Sequence, residues 1–141
     1  MDLTRRQTVM LGLGAAVMAS IPASGFANAD DLVATIKAFT GGAEVRDSGV
    51  EIIVPDIAEN GNNVPVEVIA ANATDILLLG SGNPNPRVAT FHFGALAAAS
   101  RTKTRIRLAQ SQDIIAIAKF ADGSYVQTKR TVRVTIGGCG A

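Results

Sequence analysis

The sequence contains one cysteine and one histidine, so most of its capacity for nucleophilic or metal chemistry rests on two side chains. The cysteine lies in the run Gly137-Gly138-Cys139-Gly140-Ala141. A lone cysteine is commonly a small buried hydrophobe. That role does not suit a position between two glycines near a terminus, because glycine offers nothing to pack and is entropically expensive to order. The pattern predicts an exposed, working thiol. An internal disulfide lacks a second cysteine. A zinc site needs several ligands, and one Cys and one His do not supply them. A prenylation box requires three residues after its cysteine, where this sequence has Gly140 and Ala141. Nucleophilic catalysis requires a base held rigidly beside the thiol, which a glycine tether does not provide. An interchain disulfide stays open, and so does a covalent carrier whose thin tip enters pockets on other proteins. From Ile136 to Cys139 the extended chain spans roughly 10 Å, enough to reach beyond a protein surface. In this reading Cys139 is the attachment point, and Gly137, Gly138 and Gly140 form a tail hinge.

The elements that would present such a thiol divide the chain into three parts. Residues 1–29 read as an export signal and are set aside from the fold. Arg5-Arg6 is followed by Gln7-Thr8-Val9-Met10 and a Gly/Ala-rich apolar run to Ile21. That run is too short for a membrane span, which needs about 20 apolar residues. Pro22 ends it, and Ala27-Asn28-Ala29 offers small residues to a signal peptidase. The paired arginines predict the twin-arginine route and a periplasmic location, and an ordinary secretory signal is the other reading. Since that route carries folded proteins, and the chain shows no cofactor motif, export together with a folded partner is expected. Residues 30–136 suit one domain, and residues 137–141 form the tail. Without Arg5, Arg6 and Asp2 the chain keeps eleven basic and eleven acidic residues. Such a balance argues against nucleic acid as the main partner.

Asp30 to Phe39 reads as a helix. Two aspartates favour its N-terminus, Leu32, Ile36 and Phe39 share one face, and Gly41-Gly42 stops it. From Val50 the period changes to two. Strands are predicted at Val50–Pro55, Val64–Ala70, Asp75–Leu79, Val88–Phe93, Thr104–Leu108, Asp113–Phe120 and Tyr125–Ile136. Asp56 to Asn63 reads as a loop with Asn60-Gly61-Asn62-Asn63 as turn chemistry, and Ser81 to Pro86 as another loop. Asp122-Gly123 signals a hairpin. About seven strands with regular turn signals predict an all-β, immunoglobulin-like antiparallel sandwich with a short N-terminal helix and a flexible glycine-rich tail.

Two strand features have two readings each. His92 is either a half-exposed strand residue or a titrating contact to a partner. Arg101, Lys103, Arg105 and Arg107 share a face, which is either a solvated, guarded edge or a docking stripe for an acidic surface.

Taken together, these stretches resemble the SoxY family of sulfur carriers from the bacterial thiosulfate-oxidising Sox system. The likeness rests on Arg5-Arg6, on Ile57-Ala58-Glu59-Asn60-Gly61-Asn62-Asn63-Val64-Pro65-Val66, and on Asn83-Pro84 through Ala89-Thr90-Phe91-His92-Phe93. It continues through Thr104-Arg105-Ile106-Arg107-Leu108-Ala109 and Val134-Thr135-Ile136-Gly137-Gly138-Cys139-Gly140. The family usually has a further glycine where this chain has Ala141. The resemblance implies a heterodimer with SoxZ and a cysteine joined oxidatively to thiosulfate by the haem protein SoxXA. It also implies release of sulfate by SoxB and oxidation of the remaining sulfur by SoxCD where that enzyme is present. The carrier would catalyse none of these steps and would hold no metal or cofactor of its own. Two other readings remain. One is a non-catalytic sandwich whose tail cysteine forms an interchain disulfide. The other is a redox enzyme using Cys139 as nucleophile, which would turn over by itself.

Overall fold

The computed structural model describes residues 29–137. Residues 1–28, which fall within the segment expected to be an export signal, and Gly138, Cys139, Gly140 and Ala141 of the expected tail lie outside the described part. The order of elements is α1 (Ala29–Thr40), β1 (Val45–Arg46), β2 (Glu51–Ile53), β3 (Ile57–Asn60), β4 (Val64–Ile69), β5 (Ala73–Gly80), β6 (Arg87–His92), β7 (Arg101–Ile106), β8 (Gln112–Phe120) and β9 (Tyr125–Ile136). The described residues form an immunoglobulin-like, mostly β sandwich with one short helix. The larger sheet runs β1-β9-β8-β5-β6, with β3 also paired to β9, and the smaller sheet runs β2-β4-β7.

The two sheets bury a shared core. Val64, Val66 and Val68 of β4 meet Ile76 and Leu78 of β5, Ile114, Ala116 and Ala118 of β8, and Val126 and Val132 of β9. This is the period-two pattern at work, since alternate side chains of a strand point to one face. The continuous apolar run Ile76–Leu79 is different, because all four side chains are fully buried. Both faces of β5 are covered. Leu77 and Leu79 join Ile117 and Tyr125 in a second core, closed by Leu32, Ile36 and Phe39 of α1. The helix therefore lies on the outer face of the larger sheet, making a third layer. The Phe39 and Tyr125 rings meet edge to face, with centroids 5.8 Å apart. Gly41 and Gly42 follow the helix at φ +65° and +84°, backbone that glycine adopts without strain.

The hairpin from β8 to β9 closes through Asp122-Gly123, with Gly123 at φ +83° and Phe120 N donating to Ser124 O at 3.0 Å. Two expectations are corrected. The segment predicted as a loop from Asp56 to Asn63 contains β3, whose Ile57, Ala58 and Asn60 pair in parallel with Arg133, Val134 and Ile136 of β9. Asn60–Asn63 does form a turn, in which Asn62 N donates to Asn60 Oδ1 at 2.9 Å. The sandwich is also not wholly antiparallel, because β1 and β3 both run parallel to β9. A parallel neighbour arrives by a crossover from distant sequence, and no local periodicity announces it.

Candidate functional site: the root of the tail

β9 carries the tail, and its two halves are held differently. From Tyr125 to Val132 it is bonded to β8 in antiparallel register. Its last four residues pass beyond the start of β8 and take a new neighbour, β3, on the opposite edge. On the side that β8 vacates, Ser111 Oγ accepts from Val134 N at 2.9 Å. Strand order thus continues to Ile136 although the main hairpin has ended.

Three stretches distant in sequence converge just beyond. Gly61 N donates to Ile136 O at 2.7 Å, and Leu108 N donates to Gly61 O at 2.8 Å. The turn after β3 therefore ties the segment following β7 to the last residue of β9. Beside it, Asn83 Nδ2 donates to Arg107 O at 2.9 Å, and Asn83 Oδ1 accepts from Ala109 N at 2.9 Å. Gln112 Nε2 donates to the same Asn83 oxygen at 2.9 Å and to Gln110 O at 3.0 Å. Its Oε1 accepts from Gly82 N at 2.9 Å. Asn83 is 9% exposed and Gln112 is 7% exposed. Buried polar side chains must be satisfied in this way, or each would cost about 1–3 kcal/mol. Ile136, at the rim, is 61% exposed.

Of the residues assigned to the site from sequence, Gly137 falls within the described part, half-buried beside Ala109. Gly138, Cys139 and Gly140 lie outside it, as does Arg5-Arg6. Sequence reasoning did not single out Gly61, Asn83, Ser111 or Gln112. Asn83 stood as ordinary loop chemistry because a residue's burial inside a loop is a tertiary fact. A usable signal existed nonetheless, since the segments bearing the family resemblance include Gly61, Asn83 and Ala109, and all three meet at this root.

The other candidates fall away from the root. His92 Nδ1 is paired with Asp75 Oδ1 across β5 and β6. Burial pushes the Asp75 carboxyl up, but hydrogen bonds from His92 and Thr74 and the charges of His92 and Lys119 outweigh it and hold the group below its usual range. His92 itself is largely exposed, in keeping with the strand-surface reading. Arg101, Lys103 and Arg105 of the basic stripe lie on β7, an edge strand of the smaller sheet, and Arg107 falls just after it. Glu67 of β4, 7% exposed, is bonded by Arg101 Nε and lies 3.3 Å from Lys103 Nζ. The Arg101 hydrogen bond, ahead of the Lys103 contribution and against a desolvation cost, holds the Glu67 carboxyl below its usual range. Arg105 Nη1 donates to Asn63 Oδ1 at 3.1 Å. Three of the four cations are therefore engaged within the fold, which matches a guarded edge.

A cleft of about 440 Å³ on this sheet is lined by Ile53, Pro65, Glu67, Lys103 and Arg105. Among the described residues no group of three or more His, Cys, Asp or Glu could hold a metal. Also among them, no helix is long and apolar enough to cross a membrane.

Comparison with known proteins agrees with this arrangement. A family model described as "Sulfur oxidation protein SoxY" matches residues 36–139. The solved structure of the sulfur carrier protein SoxY from Chlorobium limicola f thiosulfatophilum is similar, with a TM-score of 0.67 and 30% identity over 77% of this chain and all of that one. A superoxide reductase (neelaredoxin) from Ignicoccus hospitalis shares the fold, with a TM-score of 0.54 and 17% identity over 62% of this chain and 80% of that one. Its E23A form matches at a TM-score of 0.54 and 19% identity over 72% of this chain and 86% of that one. No curated protein sequence matches significantly.

Proposed function

This chain belongs to the SoxY family of sulfur carriers in sulfur oxidation, and on that premise we propose that Cys139 is the covalent attachment point for thiosulfate-derived sulfur in the periplasm. The observation that carries the proposal is the extent of the family match, which runs to residue 139. That residue is the sole cysteine. The root supports the same reading, because β9 and its β3, Ser111 and Gly61 contacts make a firm base behind a tip with little side-chain bulk.

Loading is an oxidation. The Cys139 thiol and thiosulfate lose one proton and two electrons, a sulfur–sulfur bond forms, and the product is a cysteine S-thiosulfonate. The electrons leave through a haem enzyme of SoxXA type. A free cysteine titrates near pH ~8.5, so only a minority is thiolate at neutral pH. Activation is therefore left to the partner's pocket. Hydrolysis of the thiosulfonate by an enzyme of SoxB type places water's oxygen on the outer sulfur, releases sulfate, and leaves a persulfide on Cys139. An enzyme of SoxCD type, where present, oxidises that persulfide before a second hydrolysis frees the thiol. The carrier performs none of these bond changes. It keeps reactive sulfur tethered between them. SoxZ is its heterodimer partner in this scheme, and Arg5-Arg6 directs its export in folded form.

The test is Cys139→Ser. Thiosulfate incubated with the complete system adds mass to the native chain and none to the variant, and thiosulfate-dependent turnover is lost while far-UV circular dichroism and SoxZ binding are retained. Turnover that survives in Cys139→Ser refutes the proposal.

A further inference from the structure

Gly137 leaves β9 into a space with no room for a side chain. A Cβ at this position would press on the carbonyl oxygen of Ala109, well inside the 3.0 Å that real Cβ atoms respect. That oxygen is not free to move aside. The amide of Ala109 is bonded to Asn83 Oδ1, and the carbonyl of Arg107, two residues earlier, is bonded to Asn83 Nδ2, both at 2.9 Å. Asn83 is held in turn by Gln112, whose own oxygen binds the Gly82 amide. The cluster is tight around its glycines as well, since a Cβ at Gly80 would lie 2.7 Å from Gln112 Oε1. Between Asn83 and the tail stands a second connection, from Leu108 N through Gly61 to Ile136 O.

A glycine needed for close approach differs physically from a glycine needed for freedom. The first is fixed by what it touches, whereas the second swivels. From Gly137 to Cys139 is two residues, roughly 7 Å when extended. Over so short a leash, the direction of the root largely decides where the sulfur goes. A swivelling root would spread the thiol over a wide solid angle, and a fixed one would confine it to a cone.

Building on the carrier function proposed above, we infer that Asn83 is a positioning residue for sulfur transfer. Through the Arg107–Ala109 backbone it seats Gly137 and fixes the direction in which the cysteine-bearing tail leaves the sandwich. Gly137 is the last residue of the seat. Gln112 supports Asn83 and has no separate role. The device does nothing to the sulfur itself. It raises the fraction of time the thiol spends where a partner's channel can accept it.

Relaxation of the native protein tests the seat directly. The steady-state heteronuclear NOE of the Gly137 amide is expected to match that of Ile136, and a value typical of a free chain end overturns the inference. A nitroxide on Cys139 then maps the cone. Paramagnetic broadening is expected to concentrate on one side of the tail end of the sandwich in the native chain and to spread in Asn83→Ala. An unchanged pattern in a folded Asn83→Ala protein overturns the inference.

Function supplies a third readout. If the competent fraction falls ~10-fold, the apparent KM of the loading enzyme for Asn83→Ala rises ~10-fold with kcat nearly unchanged. Alkylation of Cys139 by iodoacetamide stays within about twofold of native, because a small probe accepts any orientation. A merely structural Asn83 would lower stability and leave that KM alone, which also overturns the inference. Should Asn83→Ala fail to fold, Gly137→Ala takes its place, since one methyl group displaces the root without emptying the polar cluster. Native protein that takes no adduct on Cys139 overturns the carrier proposal instead. The relaxation experiment needs no cargo and judges the seat independently.

Discussion

Replacing Asn83 by alanine should cost far more than its place in a loop would suggest. The native side chain makes three hydrogen bonds, to Arg107 O, Ala109 N and Gln112 Nε2, each 2.9 Å long. Gln112 Nε2 keeps its bond to Gln110 O after the substitution, so two backbone groups are newly orphaned. A buried group left without a partner costs about 1–3 kcal/mol. Water reaching the sheet end recovers part of that loss, and freeing the side chain from order returns up to about 1 kcal/mol of entropy. The balance is about 2–3 kcal/mol of destabilisation. For a domain of this size each 1 kcal/mol moves Tm by roughly 4–6 °C, so a fall of about 10–15 °C is expected. Urea unfolding followed by circular dichroism measures the loss as a shift in midpoint at unchanged slope. A destabilisation below about 0.5 kcal/mol would mean that Asn83 is already solvated and that its three bonds do not hold the loop.

Two further outcomes follow from the described contacts. Leu108→Ala empties a fully buried position next to the tail root and should cost about 2–5 kcal/mol in the same urea assay, with less than about 1 kcal/mol showing that the loop collapses into the space. For Glu67, whose carboxyl is held below its usual range chiefly by the Arg101 hydrogen bond, the depressed folded pKa means its stabilisation is present above the unfolded value and lost as pH falls through the folded one. Glu67→Gln should therefore be less stable than native at neutral pH and should lose less on acidification below about pH 4.3. Equal acid sensitivity in the two proteins would show that the pair with Arg101 contributes nothing.

Much of the architecture was legible because it is written in alternation. Val64, Val66 and Val68 face the core as their spacing requires, and the last strand begins at Tyr125 and ends at Ile136 as predicted. The helix was legible from Leu32, Ile36 and Phe39, although only the folded chain shows that they cover the back of β5 and β8. The strand predicted at Val50–Pro55 shortens to Glu51–Ile53. Glu67 alternates with Val66 and Val68 and so lies on the opposite face of β4, and it is nonetheless buried beneath Arg101 and Lys103. Charged stems can cover a neighbour while their heads stay in water, and spacing alone does not reveal it.

The chemistry of this chain belongs to its covalent sequence. A single sulfur nucleophile between glycines is a matter of composition, and no fold could supply or remove it. The way the strand before that cysteine is held belongs to tertiary structure. β3 exists because β9 offers it an edge, and the tail root exists because residues near 61, 83 and 109 are brought within hydrogen-bonding distance of one another and of Ile136. Each of those bonds spans more than twenty residues of chain. Local preference acts over a few residues, so only the packing of two sheets against each other could decide where Gly137 points.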